Sequence, residues 1–344
     1  MKAAIYYNFQ EDLIVKDLPD PNLSDDGVII KVKASGICRS DWHAWMGHDS
    51  DIVLPHVPGH ELAGTIAAVG KNVVNWQAGA RVTTPFSGAC GHCRECRSGN
   101  QQICDNDYQP GFHGWGSFAE YVHIPNAEQN IVALPESISF VEAASLGCRF
   151  ITSYRGIVDQ AEIKAGEYLA VYGCGGVGLS AIMIAKAMGA VVIAIDIDDK
   201  KLAFAKDIGA DFVINAKKED PVTAIQDLSK GGAHVSVDAL GSKITSINSI
   251  KSLRKRGRHI QIGLMLAEQA LPEIPMAAVI AKELRIIGSH GMQAHRYADL
   301  FSLIERNNLP INKLLGELVS LEEGAKILTE MDSFKQIGIS VIEF

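Results

Sequence analysis

The sequence predicts an α/β protein with a parallel, doubly wound sheet in its middle and a strand-rich first half. Three observations carry this. First, β-rich apolar runs at 168–172, 191–195, 211–215, 233–240 and 258–264 are separated by segments of helical length, the alternation of a parallel sheet crossed by helices. Second, the run Tyr168–Tyr172 leads into Gly173-Cys174-Gly175-Gly176-Val177-Gly178, then an apolar helical segment, Leu179–Met188, closed by Gly189. Third, residues 1–34 alternate apolar and polar, as in VIIKVKA at 28–34, between turn clusters such as Pro19-Asp20-Pro21-Asn22, so short strands are expected there.

The glycine turn carries the first functional reading. Strand, G-x-G-x-x-G, helix, second strand and acid follow one another in the order a dinucleotide-binding unit needs. The first glycine permits the tight turn, the second lets a pyrophosphate approach the backbone, and the third lets helix and strand pack closely. The helix start offers free N–H groups and the positive end of its dipole to phosphates. Asp196, ending the second strand, stands where a carboxylate accepts hydrogen bonds from both adenosine ribose hydroxyls. A 2′-phosphate would meet a like charge there, so NAD is expected rather than NADP. The glycines also break this apolar stretch into pieces shorter than the roughly 20 residues of a membrane span.

A chain of 344 residues holds about two domains, each with its own core. A net charge of −8 argues against a generic nucleic-acid or anionic-membrane surface. The opening MKAAIYYNFQ has no basic stretch before an apolar one, so no secretory signal and a cytoplasmic location are expected. Seven cysteines, an odd number, speak against a disulfide framework, and four of them fall within fifteen residues.

Those four form Cys90-x2-Cys93-x2-Cys96-x7-Cys104. Thiolates at these spacings can enclose one tetrahedral Zn²⁺ with no open position, a structural site holding a lobe too polar to fold alone. His92 inside the lobe is read as a solvated loop residue. Earlier, Gly36–His43 packs a thiol, a guanidinium, a hydroxyl, a carboxylate and an imidazole into six residues, Cys38 to His43; it reads as a loop with site chemistry. Two thiolates and an imidazole from Cys38, His60 and Cys148, each read in a loop or at an element end, could balance a second Zn²⁺ and leave a fourth position open. Residues so far apart can be grouped in other ways, and buried packing is the commoner fate of a lone cysteine. Helices are expected from Pro135, over 150–158, 199–207, 296–305 and 322–330, with strands at 117–124, 284–288 and in the closing ISVIEF. Trp42, Trp45 and Trp115 read as packing residues, as does Cys174, which would be open to oxidation if partly exposed.

The motif Gly59-His60-Glu61-x2-Gly64-x5-Gly70-x2-Val73, the four-cysteine lobe and the Gly173–Gly178 turn occur in the order and spacing of one family. The chain resembles the zinc-dependent alcohol dehydrogenases of the medium-chain dehydrogenase/reductase superfamily over essentially its whole length. The resemblance implies a mainly-β GroES-like catalytic domain at 1–150 and 288–344, with a doubly wound Rossmann coenzyme domain at 151–287. It implies Cys38, His60 and Cys148 as catalytic zinc ligands, with Glu61 as a carboxylate able to approach the metal during exchange. Asp41 resembles the carboxylate that orients His60. Ser40 resembles the hydroxyl that hydrogen-bonds the substrate oxygen, and His43 the far end of a proton relay running through the nicotinamide ribose. Arg39 resembles a pyrophosphate ligand, Gly173, Gly175, Gly176, Val177 and Gly178 the phosphate turn, Asp196 the ribose acid and Lys201 its basic neighbour. Phe86 resembles a wall of the substrate pocket. Family members often carry an arginine near the chain end that reaches the pyrophosphate. The tail KQIGISVIEF has none, leaving Arg39 to make that contact alone or cofactor release to be faster.

The expectation is an NAD-linked enzyme with two Zn²⁺ per chain, interconverting primary alcohols and aldehydes, with no nucleic-acid or membrane partner. By analogy with chains of this length it is a homotetramer rather than a dimer. A polyol dehydrogenase of the same superfamily is the alternative; a carboxylate as third ligand is usual there, and Cys148 argues against it. Cys38, His60 and the cysteine lobe argue against a zinc-free quinone or enoyl reductase. A non-catalytic NAD-binding structural protein is the reading from a different class.

Overall fold

The computed structural model describes residues 1–333 and 337–344. Lys335 and Gln336, part of the tail read above, lie outside the described residues. The chain divides into two compact units, one of Met1–Ile151, Gly291–Ser302 and Ile311–Phe344, the other of Thr152–His290 and Leu303–Pro310. The segment 288–344, read as one return to the first domain, is thus shared out, and Leu303–Pro310 group with the second unit. No break in the helical pattern of Tyr297–Arg306 marks that division in the sequence.

The first unit opens with β1 (Lys2–Ile5), β2 (Ile14–Asp17) and β3 (Val28–Gly36). A short helix, α1 (Arg39–Trp45), precedes β4 (Glu61–Val69), and β5 (Arg81–Thr83), β6 (Tyr121–Ile124) and β7 (Val132–Ala133) follow. Alternation in β3 is real: Val28, Ile30 and Val32 are buried and pack with Leu62, Ile66, Val82 and Val122, while Lys31 points to solvent. Gly36–His43 is not a loop. Cys38 is the N-cap of α1, and Asp41, three residues on, accepts its backbone N–H, a reciprocal cap that turns polar residues into a helix start. Trp42 and Trp45 pack in a second core with Tyr6 and Phe118.

The second unit holds β8 (Tyr168–Tyr172), β9 (Val191–Asp196), β10 (Phe212–Asn215), β11 (Ala233–Asp238), β12 (Leu253–Gln261) and β13 (Arg285–Gly288). All pair in parallel, in the order β10-β9-β8-β11-β12-β13. Strand order reverses between β8 and β11, the switch point at which doubly wound sheets bind ligands. Leu169, Ala170, Val171 and Tyr172 are all buried, as expected of a strand covered on both faces. The run at 211–215 differs from the buried strand read in the sequence. It forms the edge, and Phe212 and Val213 stay exposed. The chain closes in the first unit with β14 (Leu315–Val319) and β15 (Ile339–Glu343), β15 lying antiparallel against β3.

Between the two sets of strands, Phe140–Tyr154 is helical and Arg155–Gln160 continues it as a π-helix. The helix begins five residues after Pro135. It is broken at Gly147 (φ −23°, ψ −114°), so Cys148 starts the helical segment that follows the break, at an element end as expected. A Cβ on Gly147 would come within 2.5 Å of Glu61 Cβ; the glycine lets the kink press against β4. Among the described residues no helix is long and apolar enough to cross a membrane.

Candidate metal centres and coenzyme turn

Cys90, Cys93, Cys96 and Cys104 converge with their sulfurs all within 4.8 Å of one another. Cys90 and Cys96 sulfurs are 3.9 Å apart, those of Cys93 and Cys104 3.7 Å. A tetrahedron of Zn–S bonds near 2.3 Å separates its sulfurs by about 3.8 Å. Backbone N–H groups of Cys90, Cys93, Cys96 and Asn106 point at three of the sulfurs at 3.3–3.4 Å. Amide donors favour thiolates: burial opposes ionisation of Cys90, yet the His92 and Cys93 amides bring it down to about 6. His92 is exposed and turns its Nδ1 to the Cys90 carbonyl. The donors fit a closed zinc shell.

The second cluster brings Cys38, His60, Glu61 and Cys148 together, with ligand atoms within 4.8 Å. Three elements supply it: the N-cap of α1, the entry to β4 and the Gly147 kink. Asp41 Oδ1 lies 2.7 Å from His60 Nδ1 and accepts the Gly59 N–H at 3.0 Å. Both His60 and Asp41 are fully buried. This bond holds the proton on Nδ1 and leaves Nε2 as a lone-pair donor. Nε2 is buried and has no hydrogen-bond partner among the described residues, the state of an atom shaped for a metal. Two sulfurs and one imidazole fit Zn²⁺ with a fourth position for substrate.

The electrostatics of the cluster are strongly coupled. Burial works to lower His60, but Asp41 overrides it and raises its pKa well above the ordinary imidazole value. A hydrogen bond between the two thiols pulls Cys38 well down, helped by Arg149, and pushes Cys148 well up. Zinc binding at this site needs Cys148 as a thiolate and the Nε2 lone pair of His60. Cys148 is pushed well up, so uptake at pH 7 is expected to release at least about one proton per ion at this site. Titration calorimetry in two buffers of different ionisation enthalpy reads that number directly; uptake without proton release would contradict the ligand set.

Glu61 is the fourth member of the cluster and is not free. Arg149 grips it with Nε at 3.1 Å on Oε1 and Nη2 on Oε2, while the Cys148 N–H donates to Oε1 at 2.9 Å. Burial pushes Glu61 up to about 7 against the pull of Arg149. Arg149 escaped the sequence reading, although it stands next to Cys148. Phe112 was missed too: its ring lies edge-on to His60 at 5.4 Å, alongside Phe86 at 6.1 Å. Ser40 Oγ is 3.8 Å from Cys38 Sγ. Arg39 stacks on Trp42, 3.6 Å from the ring centre. His43 is half-buried and pairs with His48, Nδ1 to Nδ1, at 3.0 Å.

The same arrangement recurs in known proteins. Residues 24–136 match the alcohol dehydrogenase GroES-like domain and residues 176–306 the zinc-binding dehydrogenase family. An alcohol dehydrogenase of Geobacillus stearothermophilus is 38% identical over 292 residues, 84% of each chain. The chain belongs to the zinc-binding alcohol dehydrogenases of the medium-chain dehydrogenase/reductase superfamily. An NAD-dependent alcohol dehydrogenase of Sulfurisphaera tokodaii is 33% identical over 99% of each chain. The crystal structure of the alcohol dehydrogenase of Aeropyrum pernix superposes with a TM-score of 0.88 at 30% identity, covering 100% of both chains.

Within this zinc-binding dehydrogenase the glycine turn has the form a dinucleotide needs. Gly173 has φ +97°, and a Cβ on Gly178 would lie 1.8 Å from the Gly173 carbonyl. Gly175 caps the helix Gly176–Ala187, and a Cβ there would meet nothing within 4 Å, so the helix start is open to a phosphate. Asp196 ends β9 beside the turn, where it accepts the Cys174 N–H at 2.8 Å and those of Ile197 and Asp198. Lys201 lies in the next helix, Asp199–Ile208. Cys174 itself is buried, and burial first, then Asp196, raises its thiol pKa; it is a packing residue and not an exposed thiol.

Proposed function

We propose that this chain is an NAD-linked zinc alcohol dehydrogenase that interconverts primary alcohols and aldehydes, with two Zn²⁺ per chain. The observation that carries the reading is the unpartnered Nε2 of His60, backed by Asp41 and facing two thiols, beside a carboxylate held by Arg149. Zinc held by Cys38, His60 and Cys148 supplies a Lewis acid to the substrate oxygen, and NAD held by Gly173–Gly178 and Asp196 supplies the hydride acceptor.

The remaining work falls to the chain. Ser40 accepts the hydrogen bond of the substrate hydroxyl, and His43 carries the departing proton toward solvent. His43 is fit to accept it: burial first, then Arg39 and His48, push it down to about 4, so the ring is neutral above pH 5. Phe86 and Phe112 present ring edges beside His60 and favour a compact apolar substrate. Asp196 selects NAD over NADP, and Arg39 and Lys201 add positive charge for the coenzyme. The unit containing residues 1–151 is the catalytic domain and that containing 152–290 the coenzyme domain. A cytoplasmic homotetramer acting on a free small molecule completes the reading, by analogy with chains of this length.

The test is NADH oxidation against aldehydes from formaldehyde through hexanal to benzaldehyde and cinnamaldehyde, with NADPH in parallel. Turnover with one aldehyde class, at least about tenfold better with NADH, is the expected result, one tenfold step being roughly 1.4 kcal/mol of discrimination. No aldehyde turnover by protein holding two zincs, with activity on polyols instead, would overturn the primary-alcohol assignment.

A further inference from the structure

The pair formed by His43 and His48 is left over from this reading. Their Nδ1 atoms lie 3.0 Å apart. At that distance one nitrogen carries a proton and the other a lone pair, so the two rings share a single proton along this edge. The backbone fixes the same approach, because the His48 N–H donates to the His43 carbonyl at 3.0 Å. Trp42 backs both rings edge-on, at 5.0 Å and 5.9 Å between centres. His43 is half-buried and His48 is exposed. Each ring therefore keeps one further nitrogen, Nε2: on His43 to receive a proton, on His48 to meet water.

We infer that His48 is the outer half of a two-histidine proton relay whose inner half is His43. The inference rests on the reading of His43 as the group through which the substrate proton leaves. In alcohol oxidation a proton binds Nε2 of His43. The Nδ1–H bond of His43 breaks as a new N–H bond forms on Nδ1 of His48, and His48 releases its Nε2 proton to water. Both rings end neutral with their tautomers interchanged, one proton has reached solvent, and exchange with water restores the starting tautomers. Aldehyde reduction runs the sequence backwards.

The surroundings favour the outward direction. Cationic His43 is opposed by burial and by Arg39 on its own helix, with only Cys38 acting the other way. Arg39 is itself stacked on Trp42 and within range of Asp332. The acids that follow His48 are engaged elsewhere: Asp49 accepts the Asp51 N–H at 3.0 Å, and Asp51 lies 3.3 Å from His113. His48 stands in water, where a transient charge is hydrated.

The experiment compares wild type, His48→Gln and His43→Gln, each with full zinc content, in stopped-flow single turnovers of alcohol oxidation from pH 6 to 9. NADH absorbance and proton release to an indicator dye are followed together. In His48→Gln, proton release and NADH formation are expected to slow roughly tenfold at pH 6, converge on wild type near pH 9 where hydroxide takes over, and recover on adding imidazole. If His48→Gln overlays wild type while His43→Gln shows the pH-dependent loss, the relay ends at His43 and the inference falls alone. A loss equal at every pH and not rescued by imidazole would make His48 a structural residue. If neither variant moves the profile, the role of His43 falls with it.

Discussion

Alanine at Cys38 or at His60 is expected to remove turnover while leaving one zinc in the protein. The two sulfur-rich clusters share no residue. The Cys90–Cys104 set supplies four donors of its own and closes its shell without help, so its ion should survive either substitution. The other cluster has three donors to give once Glu61 is committed to Arg149. Losing one of three leaves two ligands and a solvent-open ion, too few to hold zinc against dilution. Lewis-acid stabilisation by a catalytic metal is worth several kcal/mol, so the fall in turnover should be at least about a thousandfold. Metal analysis after gel filtration should give two zincs per chain for wild type and one for either variant. Two zincs in Cys38→Ala or His60→Ala, or near-normal turnover with one, would take those residues out of the ligand set.

The sequence carried the local part of this architecture and missed the part made by distant packing. Short-range signals were sufficient for the cysteine lobe, because four thiols within fifteen residues have few other reasons to be close. They were sufficient for the β8 turn, where strand, glycines and helix are contiguous. Edge or centre is not a property of a strand's own composition, so Phe212–Asn215 reads as buried although it ends its sheet. Pattern also failed where a polar side chain overrides propensity. Gly36–His43 looks like a loop until Asp41 is seen to cap the amide of Cys38 and to hold His60 as well. The place of Cys148 at an element end was legible, but not the break at Gly147 that makes that end. Arg149 has no sequence signature at all: a lone arginine in an apolar helix acquires meaning only from Glu61, 88 positions earlier.

Methionine at Arg149 should be among the most damaging single substitutions in the first unit. Glu61 is fully buried, Arg149 is 8% exposed, and the pair meets in a fork of parallel N–H···O contacts, the strongest geometry available to these side chains. Removing the arginine leaves a carboxylate with only the Cys148 and Arg149 amides as donors. Stranding a buried charge costs about 3–5 kcal/mol while it stays ionised, roughly 6–20 °C in melting temperature for a unit of this size. Glu61, already pushed up to about 7 with the arginine in place, rises further without it, so the loss is largest at alkaline pH and shrinks near neutrality as the carboxyl takes up a proton. Activity should fall for a second reason. Glu61 lies within ligand distance of Cys38, His60 and Cys148, and without Arg149 its carboxylate becomes free to occupy the position left for substrate. The double variant Glu61→Gln/Arg149→Met separates the two effects. It removes the unpaired charge and the competing donor together, so it should recover most of the melting temperature and part of the turnover, a coupling that independent sites would not show. A double variant whose losses merely add would mean that Arg149 acts through the packing of its helix and not through its hold on Glu61.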